Sequence, residues 1–166
     1  MANTYTLISS NTLTTTAASV TFSSIPATYT DLKVIVSARA NYGDPGVNLY
    51  VQFNSSATGY TSRQIFANGA NRYSYTGNYD QQYVNDSGST ANTFSNTEIY
   101  IPNYASANYK SNSSDSATEN NTTTAYLSMA ANLWSNTAAI SSINLAPSGG
   151  SFVQYSSFYL YGIKNS

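Results

Sequence analysis

The sequence predicts an all-β fold, a jelly-roll-like antiparallel β-sandwich with long polar loops. Ser, Thr and Asn together supply 67 of the 166 residues, whereas charged residues make up 8% and aromatic residues 14%. Thr and Tyr favour strands, and Asn, Ser and Gly favour turns. Short segments that alternate apolar and polar residues recur between turn signals, as strands of a sandwich do. A chain of this length is expected to form one domain, residues 1–166.

The first third of the chain carries the clearest strand patterns. Alternation predicts strands over residues 4–9, 18–25, 31–40 and 47–53. In the third of these, Leu32, Val34 and Val36 share one face. Ile35 on the opposite face indicates that this side is partly covered as well. Pro45, flanked by Gly43 and Gly46, predicts the turn that precedes the fourth strand.

The remaining strand signals are separated by long polar stretches. Further strands are expected over residues 62–67, 96–104, 122–134, 138–147 and 152–163. Residues 68–95 and 103–121 lack apolar periodicity and are rich in Asn, Ser and Gly, so they are predicted to be loops. No internal repeat is visible, which argues against a solenoid or a propeller.

The last predicted strand is apolar on both faces. Phe158 and Leu160 lie on one face, and Tyr159, Tyr161 and Ile163 lie on the other. Apolar side chains on both faces indicate cover on both sides. One face belongs to the sandwich core, and we expect the other to be covered by the N-terminal region or by another subunit. Pairing with the first strand would also hide a sheet edge.

Charge and hydropathy exclude several kinds of partner. The net charge is -1 and the six cations are dispersed, so no basic stripe is available for nucleic acid. No apolar run approaches the ~20 residues of a membrane span. The N-terminal residues lack the basic start and apolar core of a signal peptide. We therefore expect neither nucleic acid nor a membrane as partner.

The residue types for catalysis are scarce. The chain contains no His and no Cys, which excludes Ser-His-Asp and Cys-His arrangements. A pair of carboxylates could act as a glycosidase, but the candidates are few and are expected to be solvated: Asp80, Asp86, Glu98, Asp115 and Glu119. Residues 115–119 offer oxygen ligands without the dense spacing of a dedicated Ca²⁺ loop. We expect no catalytic residues, no metal and no cofactor.

The most informative polar stretch contains four tyrosines. They are the predicted partner-binding residues: Tyr73, Tyr75, Tyr79 and Tyr83. Tyr combines a large contact area with a polar tip, which suits a protein interface or stacking against a sugar. The alternative is that these rings fasten a long loop onto the sandwich. Three arginines could pair with a partner's carboxylates, or could solubilise strand ends, which is the simpler interpretation: Arg39, Arg63 and Arg72.

The two ends of the chain carry recognisable motifs. "LISSNTL", "SVTFSSIPATYTDL" and "FYLYGI" resemble the framework motifs of a recurrent family of tailed-bacteriophage virion proteins. The resemblance covers residues 1–53 and 138–163, whereas residues 54–121 do not match it. Members of that family resemble jelly-roll capsid decoration (cement) proteins or parts of tail fibres. Because the motifs belong to the framework, they bear on fold and virion membership more than on a particular role.

The resemblance implies a non-enzymatic structural protein on the exterior of the capsid. Its expected partners are the major capsid protein and further copies of itself, as a homotrimer. The alternative is a tail-fibre or receptor-binding module that recognises host glycans, and a carbohydrate-active enzyme is the third and least favoured function. The first predicted strand begins by about residue 4 and no heptads are present, which favours a compact decoration protein over a fibre with a stalk.

Overall fold

The computed structural model describes residues 4–43 and 46–164, and in these residues all regular structure is β. The strands are β1 (Tyr5–Thr12), β2 (Val20–Phe22), β3 (Asp31–Ala38), β4 (Val47–Phe53), β5 (Tyr60–Asn68), β6 (Asn71–Gly77), β7 (Asp80–Val84), β8 (Ser95–Ile101), β9 (Lys110–Ala117), β10 (Tyr126–Trp134), β11 (Ile143–Pro147) and β12 (Ser157–Ile163). The turn predicted at Pro45 lies outside the described residues.

The strands form two antiparallel sheets that pack as a jelly-roll-like sandwich, which confirms the predicted fold class. The large sheet has eight strands in the order β1-β12-β3-β8-β9-β10-β5-β6. The small sheet has four, in the order β2-β11-β4-β7. The sheets therefore differ in width by a factor of two, and part of the large sheet extends beyond the small one.

The apolar core lies between the two sheets, where the alternating residues of the predicted strands meet. Leu32, Val34 and Val36 of β3 are fully buried there, as the sequence pattern predicts. At one end of the core the ring of Trp134 lies edge-on to Phe53, with centroids 5.7 Å apart, and stacks on Tyr60. Burial of such side chains stabilises the fold by about 1.5–3 kcal/mol each.

The prediction that residues 68–95 and 103–121 are loops is wrong. These segments contain strands β6, β7 and β9. The inward face of β9 consists of Lys110, Asn112, Ser114 and Ser116, which are buried although they are polar or charged. β6, in contrast, is exposed along almost its whole length. The prediction depended on apolar alternation, which neither β9 nor β6 shows. The inward residues of β9 are polar, and β6 buries few residues.

The first and last strands pair antiparallel, with Tyr5 opposite Ile163, which is the pairing that would hide a sheet edge. The last strand begins at Ser157 rather than at residue 152, because Phe152 forms isolated bridges with Ala17 and Ala40 instead. β1 lies beside β12 at the sheet edge and not over its outer face. Tyr159 and Tyr161 on that face are half-buried, so the N-terminal region does not cover them as a layer.

The hairpin β5–β6 forms the opposite edge of the large sheet, and we call it the overhang hairpin. Gly69 lies in its turn with φ +55°, and a Cβ there would lie 2.8 Å from the Thr123 carbonyl oxygen. β7, the edge of the small sheet, packs beneath β8, β9, β10 and β5. β6 lies one strand further out. The overhang hairpin therefore has an inner side toward β7 and an outer side toward solvent.

Candidate partner-binding surfaces

The inner side of the overhang hairpin carries an aromatic cluster, defined here as Phe66, Tyr73, Tyr75, Tyr83 and Tyr126. Phe66 and Tyr73 are cross-strand neighbours whose rings stack with centroids 4.9 Å apart. Tyr83 reaches across from β7, 5.4 Å from Phe66 and stacked on Tyr126 at 4.2 Å. Tyr75 lies two residues from Tyr73 and projects from the same side of β6.

The rings of the aromatic cluster differ in their exposure to solvent. Tyr83 is half-buried, and burial together with the neighbouring Tyr126 and Tyr75 raises its pKa to about 12. Tyr73 and Tyr75 are 47% and 41% exposed. Tyr83 therefore joins the two sheets, as the fastening interpretation requires, whereas Tyr73 and Tyr75 offer ring surface to a partner.

Tyr79, the fourth tyrosine of the predicted set, packs with a different residue. Its ring lies 5.1 Å from that of Tyr50 on β4 of the small sheet, and it is 45% exposed. The structure thus joins Tyr73, Tyr75 and Tyr83 in one cluster and pairs Tyr79 with Tyr50.

The outer side of the same strands carries an apolar patch that the sequence analysis did not identify. Its residues are Ile65, Ala67, Leu127 and Met129, and we call them the outer patch. Leu127, Met129 and Ile65 are 64%, 60% and 60% exposed. Met129 lies directly opposite Ile65, and Leu127 opposite Ala67. The sequence of β10, "YLSMAANLW", is apolar at both odd and even positions, as that of β12 is. This pattern is the signal that could have indicated the outer patch.

An open hollow of about 770 Å³ lies over the outer patch. Its borders include Arg72 on β6 and Asp115 on β9. The outer side therefore combines aliphatic surface with charges of opposite sign at its two margins. Isolated apolar residues are normal on a protein surface, but contiguous patches mark interaction sites.

A polar layer lies between the sheets beneath β9, β10 and β7. Asn112 donates to Asp80 Oδ2 over 2.7 Å, and Asn132 donates to Asn112 Oδ1 over 3.0 Å. Gln82 donates to Ser114 Oγ over 2.7 Å. Asp80 is buried, and this burial raises the pKa of its carboxyl group to about 7 although the hydrogen bond from Asn112 opposes the shift. The layer packs β7 against the large sheet through hydrogen bonds rather than apolar contacts.

The expectation that the carboxylates are solvated loop groups is wrong for Asp80 and Asp86, because both are buried. Asp80 lies in strand β7, and Asp86 accepts a hydrogen bond from the backbone amide of Gly88 over 2.9 Å. Glu98 forms an ion pair with Lys33 at 2.6 Å. Glu119 is exposed, as expected.

Asp115 is exposed but lies in strand β9, opposite Glu98 on β8. Burial and repulsion by Glu98 raise the pKa of its carboxyl group, while Lys33 opposes the shift. Over residues 4–43 and 46–164, no three acidic side chains come together as a metal site would require.

Arg39 has a role that neither interpretation of the arginines anticipated. Its guanidinium group donates to the carbonyl oxygens of Ser89, Thr90 and Thr93 over 2.8–3.1 Å. Arg39 thus fastens the segment that joins β7 to β8. Arg63 and Arg72, in contrast, lie on the outer side of the overhang hairpin, where Arg63 donates a hydrogen bond to the carbonyl oxygen of the neighbouring Ser62.

Comparison with known proteins adds no family. No protein-family model matches the chain, and neither the search of curated proteins nor the search of solved structures returns a match. In the described part of the chain no helix has the length and apolar character to span a membrane. The surfaces described above and the motifs at the two ends of the sequence therefore carry the information on function.

Proposed function

We propose that the protein is a non-enzymatic structural protein of a tailed-bacteriophage virion, a decoration protein bound to the exterior of the capsid. One observation carries the proposal. The overhang hairpin presents aromatic rings on one side and aliphatic side chains on the other. Both surfaces are built on regular strands, so they are held ready for contact and cost little conformational entropy on binding. The framework motifs that resemble phage virion proteins give this binding surface its context.

The proposed work of the protein is mechanical. A protein that binds the assembled shell but not the separated capsid subunits stabilises the shell by mass action. The centre of a protein interface is rich in Tyr and poor in charge. Tyr73 and Tyr75 fit that chemistry, and no charged side chain is part of the aromatic cluster. They are the proposed contacts to the major capsid protein, with Tyr79 as an additional contact and Tyr83 supporting them from below.

The proposed assembly is a homotrimer. Trimers place three copies of a modest surface on the shell together, which raises the strength of attachment without any new contact. Few charges are available at the aromatic cluster, so attachment to the capsid should depend weakly on salt.

The test is to mix the purified protein with capsids that lack it, at low and at high ionic strength. Tyr73→Ala combined with Tyr75→Ala should abolish attachment and remove the added heat resistance of the shell. The matched control is Tyr109→Ala, because Tyr109 is also an exposed tyrosine but precedes β9, away from the overhang hairpin. Attachment that survives the double change, or that collapses at modest salt, would contradict the proposed surface.

A second function uses the same two rings. Exposed aromatic rings stack well against sugars, which supports a tail-fibre or receptor-binding module that recognises host glycans. This alternative predicts binding to host cells or to their isolated polysaccharide, and no binding to capsids. Loss of cell binding in the variant with both Tyr73→Ala and Tyr75→Ala would then assign the aromatic cluster to glycan recognition.

A further inference from the structure

On the outer side of the large sheet, acidic and basic side chains lie on different strands. Glu98 on β8 and Asp115 on β9 are opposite each other and form an acidic margin. Arg63 on β5 and Arg72 on β6 form a basic margin. The outer patch lies between Asp115 and Arg72, because Asp115 is opposite Met129 on one side and Arg72 is opposite Ala67 on the other. Arg63 flanks the patch on β5, two residues from Ile65. Neighbouring strands lie about 4.8 Å apart, so the acidic and basic side chains are separated by two to four strand spacings, about 10–19 Å.

The two margins do not neutralise each other within one chain. Lys33 and Glu98 form the ion pair of this face. Asp115, Arg63 and Arg72 form no ion pair in the part of the chain that the structure describes. Within the described residues, the face therefore presents an acid without an ion pair on one side of an apolar centre and bases without an ion pair on the other.

We propose that this outer face is the contact between copies of the chain. A surface with an acidic margin, an apolar centre and a basic margin is complementary to itself. When a second copy meets it in the opposite direction, the acid of each copy faces the bases of the other, and the two apolar centres cover one another. The same pairing of acid with base arises between successive members of a closed ring of three. The proposal rests on the homo-oligomer of the proposed function and assigns it a surface.

A capsid subunit is a less suitable occupant of this face. A partner of different sequence can supply its own charge opposite each margin, whatever the sign of that margin. Only contact between copies of the chain requires that one margin be acidic and the other basic. Burial of the outer patch against an identical patch also covers the most exposed aliphatic side chains of the large sheet in both molecules at once. The inner side of the overhang hairpin, with Tyr73 and Tyr75, then stays available for the capsid.

The experiment measures the mass of the purified protein in solution, by analytical ultracentrifugation over a range of concentrations. Met129→Asp places a charge at the apolar centre and should raise the dissociation constant at least about tenfold, which corresponds to about 1.4 kcal/mol. Tyr109→Asp is the matched control, because it places the same charge at an exposed site outside the outer patch. Circular dichroism checks that both variants are folded.

A charge exchange tests the complementarity itself. Asp115→Arg places an arginine opposite Arg72 of the next copy, and Arg72→Asp places an aspartate opposite Asp115, so each change alone should weaken self-association. The chain with both changes restores opposite charges and should associate again. Additive weakening in that chain would overturn the proposed pairing even if Met129→Asp dissociates the assembly.

The outcomes separate this inference from the proposed function. An oligomer that is unaffected by Met129→Asp and by Asp115→Arg would place the contact elsewhere and leave homo-oligomerisation intact. A wild-type protein that is monomeric at all concentrations would overturn both the surface and the homotrimer. Attachment to capsids is measured separately, and its loss would contradict the decoration function alone.

Discussion

The ring of Tyr83 stacks on that of Tyr126 with centroids 4.2 Å apart and an angle of 12° between their planes. Tyr83 lies on β7, the edge of the small sheet, and Tyr126 begins β10 of the large sheet. The contact therefore joins the two sheets at the place where the large one extends beyond the small one. Through Phe66 it supports the exposed ring of Tyr73 from beneath. Tyrosines that look alike in the sequence therefore have two different roles.

We expect Tyr83→Ala to destabilise the fold by about 2–4 kcal/mol, because it removes a half-buried ring with two aromatic neighbours. Tyr79→Ala should cost about 1 kcal/mol or less, since its ring is largely exposed. Tyr83→Phe is the control, because it keeps the ring. The measurement is urea unfolding followed by fluorescence. Equal losses for Tyr83→Ala and Tyr79→Ala would show that Tyr83 does not join the sheets.

Asp80 should make the stability of the fold depend on pH. Its pKa rises from 3.8 in a model peptide to about 7 in the folded protein, so the folded state retains the proton over that range. The protonated carboxyl group therefore contributes up to about 4 kcal/mol to the free energy of unfolding. This contribution is fully present below about pH 4 and is lost as the pH rises through about 7. Asp80→Asn keeps an acceptor for Asn112 but cannot ionise.

The free energies of unfolding of the wild type and Asp80→Asn should therefore be compared at pH 5 and pH 8. The wild type should lose stability relative to the variant at the higher pH, and the variant should be the more stable protein there. A difference between the two proteins that stays constant from pH 5 to pH 8 would contradict the raised pKa. Because Asp115 titrates in both proteins, its contribution cancels in this comparison.

Arg39→Met should release the segment between β7 and β8. The change removes hydrogen bonds to three carbonyl oxygens, and we expect a loss of about 1–3 kcal/mol together with faster amide exchange around Ser89 and Thr93. Arg72→Met is the matched control, because the side chain of Arg72 makes no hydrogen bond to another side chain or carbonyl in the described part of the chain and is exposed. Unchanged exchange around Thr93 in Arg39→Met would assign Arg39 another role.

Gly162 of β12 lies directly beneath the ring of Tyr29. A Cβ at this position would lie 2.4–2.5 Å from three ring carbons, so Gly162→Ala should cost about 1–3 kcal/mol through overpacking. The cost should shrink in a background that carries Tyr29→Ala, because the opposing ring is then absent. Thermal unfolding of the four proteins in this double-mutant cycle gives the coupling. Additive effects would show that the ring moves aside freely.

The sequence predicts those parts of the fold in which apolar residues alternate along a strand. β3 and β4 are predicted on that ground. The apolar residues on both faces of the last strand predict cover over its outer face, whereas β1 pairs with β12 at the sheet edge. β7 and β9 were not predicted, because Gln82 and Ser114 are buried as hydrogen-bonded partners rather than as apolar side chains. A pattern search based on hydropathy has no signal for a buried polar layer.

The candidate surfaces could be predicted only in part, for a geometric reason. The tyrosines were identified by residue type, and three of the four do form one cluster. The outer patch was missed because Leu127 and Met129 look the same in the sequence whether a second layer covers them or not. That depends on which strands neighbour β10 and on the width of the opposing sheet, which are properties of the whole topology. For the same reason Tyr79 could not be separated from Tyr73 and Tyr75.

β6, the exposed outermost strand of the overhang hairpin, can report whether a partner is bound to the hairpin. The backbone amides of β6 can open locally, without unfolding of the core, so they should exchange with deuterium early while β3 stays protected. Any partner that settles on either side of the hairpin must slow that exchange, whether it is a capsid, a sugar or a second copy. Labelling at increasing protein concentration, then with capsids added, would therefore record the order in which the two sides become occupied.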